Sequence, residues 1–271
     1  MQNNYTYALV TGASRGLGKE LAYELARLRH NLLLVSLKNE GLPVLCDAIR
    51  VKYSVDVQCF EVDLLEENAV FEIAEWASNG YKVNILINNA GVGETKAFDE
   101  VTPEYIENTI RINVRVISML TRLVLPLLRT YPNAYILNVA SMASFSPIPY
   151  KVIYQATKAY VWFFSRCLYE ELRNSSVSVS VLHPGPMKTN SDVRQRIEKQ
   201  SIFVRITLIS AQKTARIAIA QMFKKKLQII PGFMNKTYRL LIIIVPTRIR
   251  LNLVSFFAKH EAINNHSSST R

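Results

Sequence analysis

Six short apolar runs, at residues 7–10, 31–35, 55–62, 83–87, 134–139 and 177–182, alternate with longer amphipathic stretches. Four of the six are apolar at successive residues rather than at every second one, which predicts strands covered on both faces. The stretches between them predict helices over 17–28, 42–52, 66–77, 103–129 (broken near Asn108) and 154–172. A further helix is predicted over 211–223 and a last strand over 227–230. Strands alternating with helices, joined by right-handed crossovers, make a doubly wound parallel α/β sheet.

The chain has 271 residues, 49% of them hydrophobic and 20% charged, with 9 Gly and 10 Pro. That suffices for one domain with a well-buried core and excludes a disordered or collagen-like chain. The cysteines, Cys46, Cys59 and Cys167, are odd in number and widely spaced, which argues against a disulfide framework and for a reducing compartment. The histidines, His30, His183, His260 and His266, lack metal-ligand spacing, so no metal site is expected. Residues 1–7 are polar and do not read as a secretory signal. The apolar run at 240–245 is far below the roughly 20 residues that span a bilayer. A cytoplasmic location is therefore expected.

Between the first strand and first helix stands Thr11-Gly12-Ala13-Ser14-Arg15-Gly16-Leu17-Gly18. Glycines there let the backbone turn sharply and approach a ligand, and the N–H groups opening the helix favour a pyrophosphate. The spacing G-x-x-x-G-x-G matches the dinucleotide fingerprint G-x-G-x-x-G only in part, and a tight turn without a ligand also fits the glycines taken alone. An acid at the end of the second strand would hold a ribose 2′-hydroxyl and repel a 2′-phosphate. The sequence has Ser36-Leu37-Lys38 there, with no acid before Glu40. Arg15 and Lys38 bring two cations to that position, which favours NADP(H) over NAD(H); the plainer reading is two solvated cations.

With Asn88-Asn89-Ala90-Gly91, Asn113, Ser141, Tyr154-x-x-x-Lys158 and Pro184-Gly185, this loop forms an ordered set across residues 5–190. The set resembles the short-chain dehydrogenase/reductase family. Ile230-Pro231-Gly232 and the basic tail are similar to a bacterial subgroup of long-chain 3-ketoacyl and hydroxysteroid reductases. The resemblance implies a Rossmann-type enzyme that interconverts carbonyls and alcohols with a nicotinamide dinucleotide. It implies that Gly12, Ser14, Arg15, Gly16, Leu17 and Gly18 line the phosphates and ribose, and that Asp63 accepts a hydrogen bond from the adenine amino group. Asn89, Ala90 and Gly91 would lie against the adenosine ribose and stabilise the central strands. Pro184, Gly185 and Thr189 would hold the nicotinamide end. Leu37 departs from the pattern, because NADP-preferring relatives often carry arginine there; Lys38 and Arg15 would serve instead. Residues 191–205 correspond to a substrate lid, and relatives pair through two long helices, which implies a homodimer or homotetramer.

Carbonyl reduction needs a proton donor beside the hydride donor. Tyr154 is the expected acid, and Lys158, one helical turn on, can face the same side. A nearby ammonium favours phenolate and lowers the tyrosine pKa toward neutrality. Both residues are also expected to touch the cofactor. Ser141, thirteen residues before Tyr154 and just after the fifth strand, can hydrogen-bond the substrate oxygen. Asn113 would hold a water linking Lys158 to solvent. Taken singly, each has a plainer reading: a packed tyrosine, a solvated lysine, a turn serine, an outward asparagine. His183 reads as a satisfied strand-end histidine more readily than as a substrate contact. Trp162, Phe163 and Phe164 read as core or subunit-interface packing.

Charge is concentrated in one block. Residues 1–193 carry a net −1, whereas residues 194–260 carry 14 Lys and Arg against a single acid, Glu198. The chain accordingly divides into a catalytic domain over 1–232 and a basic amphipathic extension over 233–271, split by Pro246. Apolar faces with basic flanks suit an anionic bilayer surface; they equally suit helices that cap the core or a subunit interface while their cations stay in water. Nucleic-acid binding is not expected, since no motif for it accompanies the charge. The partner expected is a small carbonyl or alcohol substrate, hydrophobic and acyl or steroid-like. A catalytically idle dinucleotide sensor or membrane-surface scaffold on this fold is the alternative function.

Overall fold

Leu32, Leu33, Leu34 and Val35 have no solvent exposure, so the second strand is covered on both faces as its unbroken apolar run requires. A computed structural model describes residues 6–187 and 208–245. Thr189, the lid at 191–205 and the tail beyond Val245 lie outside the described residues.

The strands are β1 (Thr6–Thr11), β2 (Asn31–Ser36), β3 (Val57–Glu61), β4 (Lys82–Asn88), β5 (Ala134–Val139), β6 (Val177–Leu182) and β7 (Gln228–Ile229). They form one sheet in the order β3-β2-β1-β4-β5-β6-β7, every neighbouring pair parallel. The helices are α1 (Gly16–Arg27), α2 (Leu42–Tyr53), α3 (Ala69–Ser78), α4 (Pro103–Ile110), α5 (Ile117–Leu128), α6 (Val152–Glu171), α7 (Ala211–Phe223) and α8 (Phe233–Ile244).

Local chemistry accounts for the helix starts. Thr102 accepts from Tyr105 N at 3.2 Å with Pro103 following, and Ser210 accepts from Lys213 N at 3.2 Å, capping α4 and α7. Apolar stripes then bury helices on both sheet faces. Leu17, Leu21, Leu25 and Ala26 of α1 join Leu45 and Ile49 of α2 and Ala218 and Met222 of α7 in one core. Val70 and Ile73 of α3 and Leu120 and Val124 of α5 join the other. The sheet is built outward in opposite directions from β1 and β4, which opens a crevice at their carboxyl ends, the usual ligand position in such sheets.

Two expectations need correction. The long helix does not break near Asn108. It continues to Ile110 and then widens into π-helical turns over Arg111–Val116 before α5. Asparagine is a weak helix former, but packing overrides that preference; the irregularity falls where Asn113 turns its side chain inward. The basic block is also not one surface. Lys224, Lys225 and Lys226 lie between the end of α7 and the start of β7, at the amino edge of the sheet, where Lys225 donates to Asn133 Oδ1 at 3.2 Å. The helix α8 sits at the opposite, carboxyl edge, against the turn over Met142–Phe145.

Candidate active site

The three loop glycines have different jobs. Gly12 (φ 64°) and Gly16 (φ 57°) take left-handed backbone that disfavours other residues. Gly18 is helical, but a Cβ there would stand 2.0 Å from the Gly12 carbonyl oxygen and 2.5 Å from Asn89 Nδ2. Close passage of α1 beneath the loop therefore demands glycine. Asn89 ties the loop to β4, donating from Nδ2 to Thr11 O at 3.0 Å and Gly12 O at 3.1 Å. The Asn89 and Ala90 amides both donate to Thr11 Oγ1 at 3.1 Å. Arg15 precedes α1 in extended conformation and makes no side-chain cap. The N–H groups that open α1 have no partner within the helix, and with the two left-handed glycines before and at its start the loop fits a pyrophosphate.

At the adenosine end, the turn after β2 passes through Asn39 and Gly41, both at positive φ. This returns Glu40 to Arg15, whose Nη1 lies 3.3 Å from Glu40 Oε2. The acid that the linear sequence puts beyond reach thus pairs with one of the two expected cations. Both side chains reach solvent, so the pair is worth at most about 1 kcal/mol. Lys38 is exposed beside it. Asp63 follows β3 and accepts from Leu65 N at 2.9 Å, a turn that fixes its carboxylate at the crevice edge.

Ser141, Tyr154 and Lys158 meet at the carboxyl end of β5. Ser141 opens the Met142–Phe145 turn, its Oγ accepting from Ala143 N at 3.1 Å, and its hydroxyl lies near enough to that of Tyr154 to lower the phenol's pKa. Lys158 is 4% exposed and donates from Nζ to Val139 O at 2.9 Å, with Nζ 5.9 Å from the Tyr154 ring centroid. Burial lowers the Lys158 pKa to about 8. Tyr154 departs from expectation. Burial raises its pKa above the ordinary tyrosine value, the Ser141 hydroxyl pulls the other way, and the Tyr105 phenol adds to the rise. Desolvation of the phenolate outweighs the Ser141 contact, so the phenol is held protonated at neutral pH.

Asn113 is fully buried and acts as a brace. Its Oδ1 accepts from Val92 N at 3.0 Å, and its Nδ2 donates to Val92 O at 2.8 Å and to Thr157 Oγ1 at 2.9 Å. Gly91 sits against it: a Cβ would lie 3.0 Å from Lys158 Nζ and 3.1 Å from Asn113 Oδ1. Gly93, which the motif reading passes over, is the more restrictive. A Cβ there would stand 2.1 Å from Tyr154 Cδ2, so only glycine leaves the ring room. The Gly91-Val92-Gly93 alternation was the available signal.

Pro184 and Gly185 leave β6, and Pro184 O accepts from Met142 N at 3.0 Å, coupling this loop to the serine turn. A Cβ on Gly185 would meet Asn235 Nδ2 at 2.7 Å. Asn235, buried on α8 and donating to Pro231 O at 2.9 Å, thus belongs to the site although composition grouped it with the tail. Beneath the site, Asn88 Nδ2 donates to Asn138 Oδ1 at 2.8 Å and Thr121 Oγ1 at 2.9 Å, and Asn138 Nδ2 donates to Ser165 Oγ at 3.0 Å. A space of about 250 Å³, open to solvent, adjoins Tyr154 and is lined by Phe98, Val101, Tyr105, Tyr150, Val152 and Ile153 among others.

Residues 6–200 match the short chain dehydrogenase family. The mouse very-long-chain 3-oxoacyl-CoA reductase is 33% identical over 183 residues, 66% of this chain and 58% of the relative. The match thus spans little more than half of that relative's length. A bulky-bulky ketone specific alcohol dehydrogenase from Comamonas testosteroni superposes with TM-score 0.77 at 26% identity, covering 89% of this chain and 92% of the other. A short-chain dehydrogenase from Sphingobium yanoikuyae in complex with NADPH gives 0.75 at 27% identity, covering 89% and 96%. One from Burkholderia phymatum in complex with NAD gives 0.78 at 23% identity, covering 89% and 94%, a likeness of fold alone.

Proposed function

The chain belongs to the short-chain dehydrogenase family of oxidoreductases, and on that premise we propose that it is an NADP(H)-dependent carbonyl reductase acting on a hydrophobic acyl or steroid-like ketone or aldehyde. The observation that carries this reading is the meeting of the Ser141 and Tyr154 hydroxyls and the buried Lys158 ammonium beside the glycine loop. A bound dinucleotide supplies the hydride. Tyr154, protonated at neutral pH, gives its proton to the carbonyl oxygen as negative charge grows there. Ser141 Oγ donates a second hydrogen bond to that oxygen, and Lys158 holds the exchangeable proton that restores Tyr154. Asn113 positions the Val92 strap and, through Thr157, the turn carrying Tyr154.

Relatives named for very-long-chain acyl and bulky-ketone substrates support a hydrophobic substrate; the shallow, solvent-open space beside Tyr154 mixes apolar Phe98, Val101, Val152 and Ile153 with Glu94, Lys96 and Lys151. An idle sensor or scaffold would keep a buried ammonium, which costs stability, for no chemical return. In initial-rate assays over a ketone panel, the wild type oxidises NADPH and binds it more tightly than NADH. Lys38→Glu raises the NADPH Kd at least about tenfold and leaves NADH within about twofold, because a carboxylate repels the 2′-phosphate. Tighter binding of NADH by the wild type overturns the cofactor assignment.

The reading includes a homodimer or homotetramer paired through α6, where Tyr160 and Phe163 are 39% and 61% exposed, and peripheral contact with an anionic cytoplasmic leaflet through α8. One face of α8 buries Asn235 and Ile242; the other exposes Phe233, Leu240, Leu241 and Ile244, with Lys236 alongside. The chain sediments with phosphatidylserine-containing vesicles, and the double variant Leu240→Asp, Ile244→Asp remains in the supernatant. Equal partitioning overturns the contact. Light scattering on the same samples gives an oligomer mass unchanged by the substitutions; a fall in mass assigns α8 to the subunit interface instead.

A further inference from the structure

We propose that His183 is a positioning residue for Ser141, acting as a neutral Nδ1–H donor to the serine's main chain, and that Arg239 of α8 closes the aromatic bracket that holds the imidazole. The inference rests on the reductase reading only in assigning Ser141 to the substrate oxygen.

His183 leaves β6 with its amide donating to Ile229 O at 2.8 Å, so its backbone is fixed between β6 and β7. Its side chain has no solvent exposure. Nδ1 lies 3.1 Å from Ser141 O and 2.9 Å from Ser144 Oγ. A carbonyl oxygen only accepts, and the Ser144 hydroxyl donates its own proton to the same Ser141 carbonyl. Both neighbours therefore offer lone pairs to Nδ1, which fixes the proton there. Nε2, buried and without a hydrogen-bond partner among the described residues, carries the lone pair.

Two mutually touching aromatic rings pack on the imidazole. Phe145 lies tilted against it at 4.3 Å between centroids, Trp162 meets it edge-on at 4.9 Å, and the Arg239 guanidinium lies 4.3 Å from the Phe145 centroid. Burial, reinforced by the Arg239 charge, pushes the imidazole pKa down to about 3 although the Ser141 carbonyl opposes it. A ring so placed takes no part in proton transfer at working pH. What it does is fix the direction of the Ser141 main chain, and with it the hydroxyl that faces Tyr154. The bracket also joins α8 to the serine turn, a second link beside Asn235 against Gly185.

Asparagine can present its Nδ2–H near the position of Nδ1, whereas leucine keeps bulk and loses the donor. His183→Leu is expected to lower kcat about ten- to hundredfold with the NADPH Kd within about twofold, and His183→Asn to recover all but about fivefold. The kcat–pH midpoints stay at their wild-type values in both. Unchanged kcat in His183→Leu, equal losses in the two variants, or a displaced pH midpoint overturns the proposal. Should His183→Leu fail to fold, Ser144→Ala, which removes the other donor to Ser141 O, lowers kcat about threefold or more; no change overturns the proposal. Long-range proton–nitrogen NMR of the unmodified chain reads the tautomer without any turnover. A neutral Nδ1–H ring from pH 5 to 9 is expected, and an Nε2–H ring or a titration in that range overturns the assignment. Because NMR needs no substrate, failure here is distinguishable from failure of the reductase reading, which shows as absent wild-type turnover.

Discussion

Tyr154→Phe lowers kcat for carbonyl reduction by about 10³-fold or more and leaves the dinucleotide Kd within about twofold. Phenylalanine keeps the ring against Gly93 and loses only the hydroxyl that meets Ser141. The Ser141 hydroxyl that remains is a poor acid. The raised Tyr154 pKa gives a second readout in the wild type. An acid must be protonated to act and Lys158 must hold the proton that restores it, so reduction holds its rate through neutral pH, begins to fall near pH 8 as Lys158 loses its proton, and falls further as pH climbs toward the tyrosine range; oxidation of the alcohol, which needs the phenolate, rises over that upper interval. Activity within tenfold of wild type in Tyr154→Phe, or reduction that falls away below pH 7, would remove Tyr154 from the reaction.

Lys158→Met separates catalysis from stability. Its kcat loss is about 10²-fold or more, because the proton source behind Tyr154 is gone. Its stability moves the other way at neutral pH. The folded chain holds the Lys158 proton less firmly than the unfolded chain does, with the pKa lowered from 10.5 to about 8. The penalty is therefore fully present below about pH 8 and fades as pH rises toward 10.5; at 1.36 kcal/mol per pKa unit it amounts to about 3 kcal/mol. Methionine removes it but leaves Val139 O without that donor, which costs about 1–3 kcal/mol. Denaturant melts at pH 7 should find the variant level with wild type or up to about 2 kcal/mol more stable. By pH 10 the wild type should have gained on it by most of the penalty. A stability difference that does not vary between pH 7 and 10 would show that the ammonium is not buried as described.

The sheet was legible because its strands are short runs rich in Val, Leu and Ile set between helical stretches: β5 and β6 run over the predicted residues, and β2 differs by one. β3 was drawn too long, at 55–62 against Val57–Glu61, because an edge strand is only partly covered and its pattern does not mark its ends. Ser141, Tyr154 and Lys158 could be read together from helical spacing and strand ends. Asn138 and Asn235 could not, since each acts on a partner distant in sequence; Gly93 left only the glycine alternation as a signal, and His183 was legible as a satisfied strand-end histidine but not as a partner of Ser141. The direction of the Tyr154 shift was missed for a related reason. Sequence shows which charge lies one turn away, but not how much water the fold removes. Likewise a linear count of cations joins Lys224–Lys226 to Lys236, while the sheet sends them to opposite edges.

The buried amides of Asn88 and Asn138 face each other as direct cross-strand partners. β4 delivers the segment that grips the glycine loop, and β5 delivers Ser141. Sliding one strand past the other by a single residue would strand amides in hydrocarbon, at about 1–3 kcal/mol for each group left unmet. The pair works as a keyway: it sets the axial offset between the nucleotide half of the crevice and the substrate half before any ligand arrives.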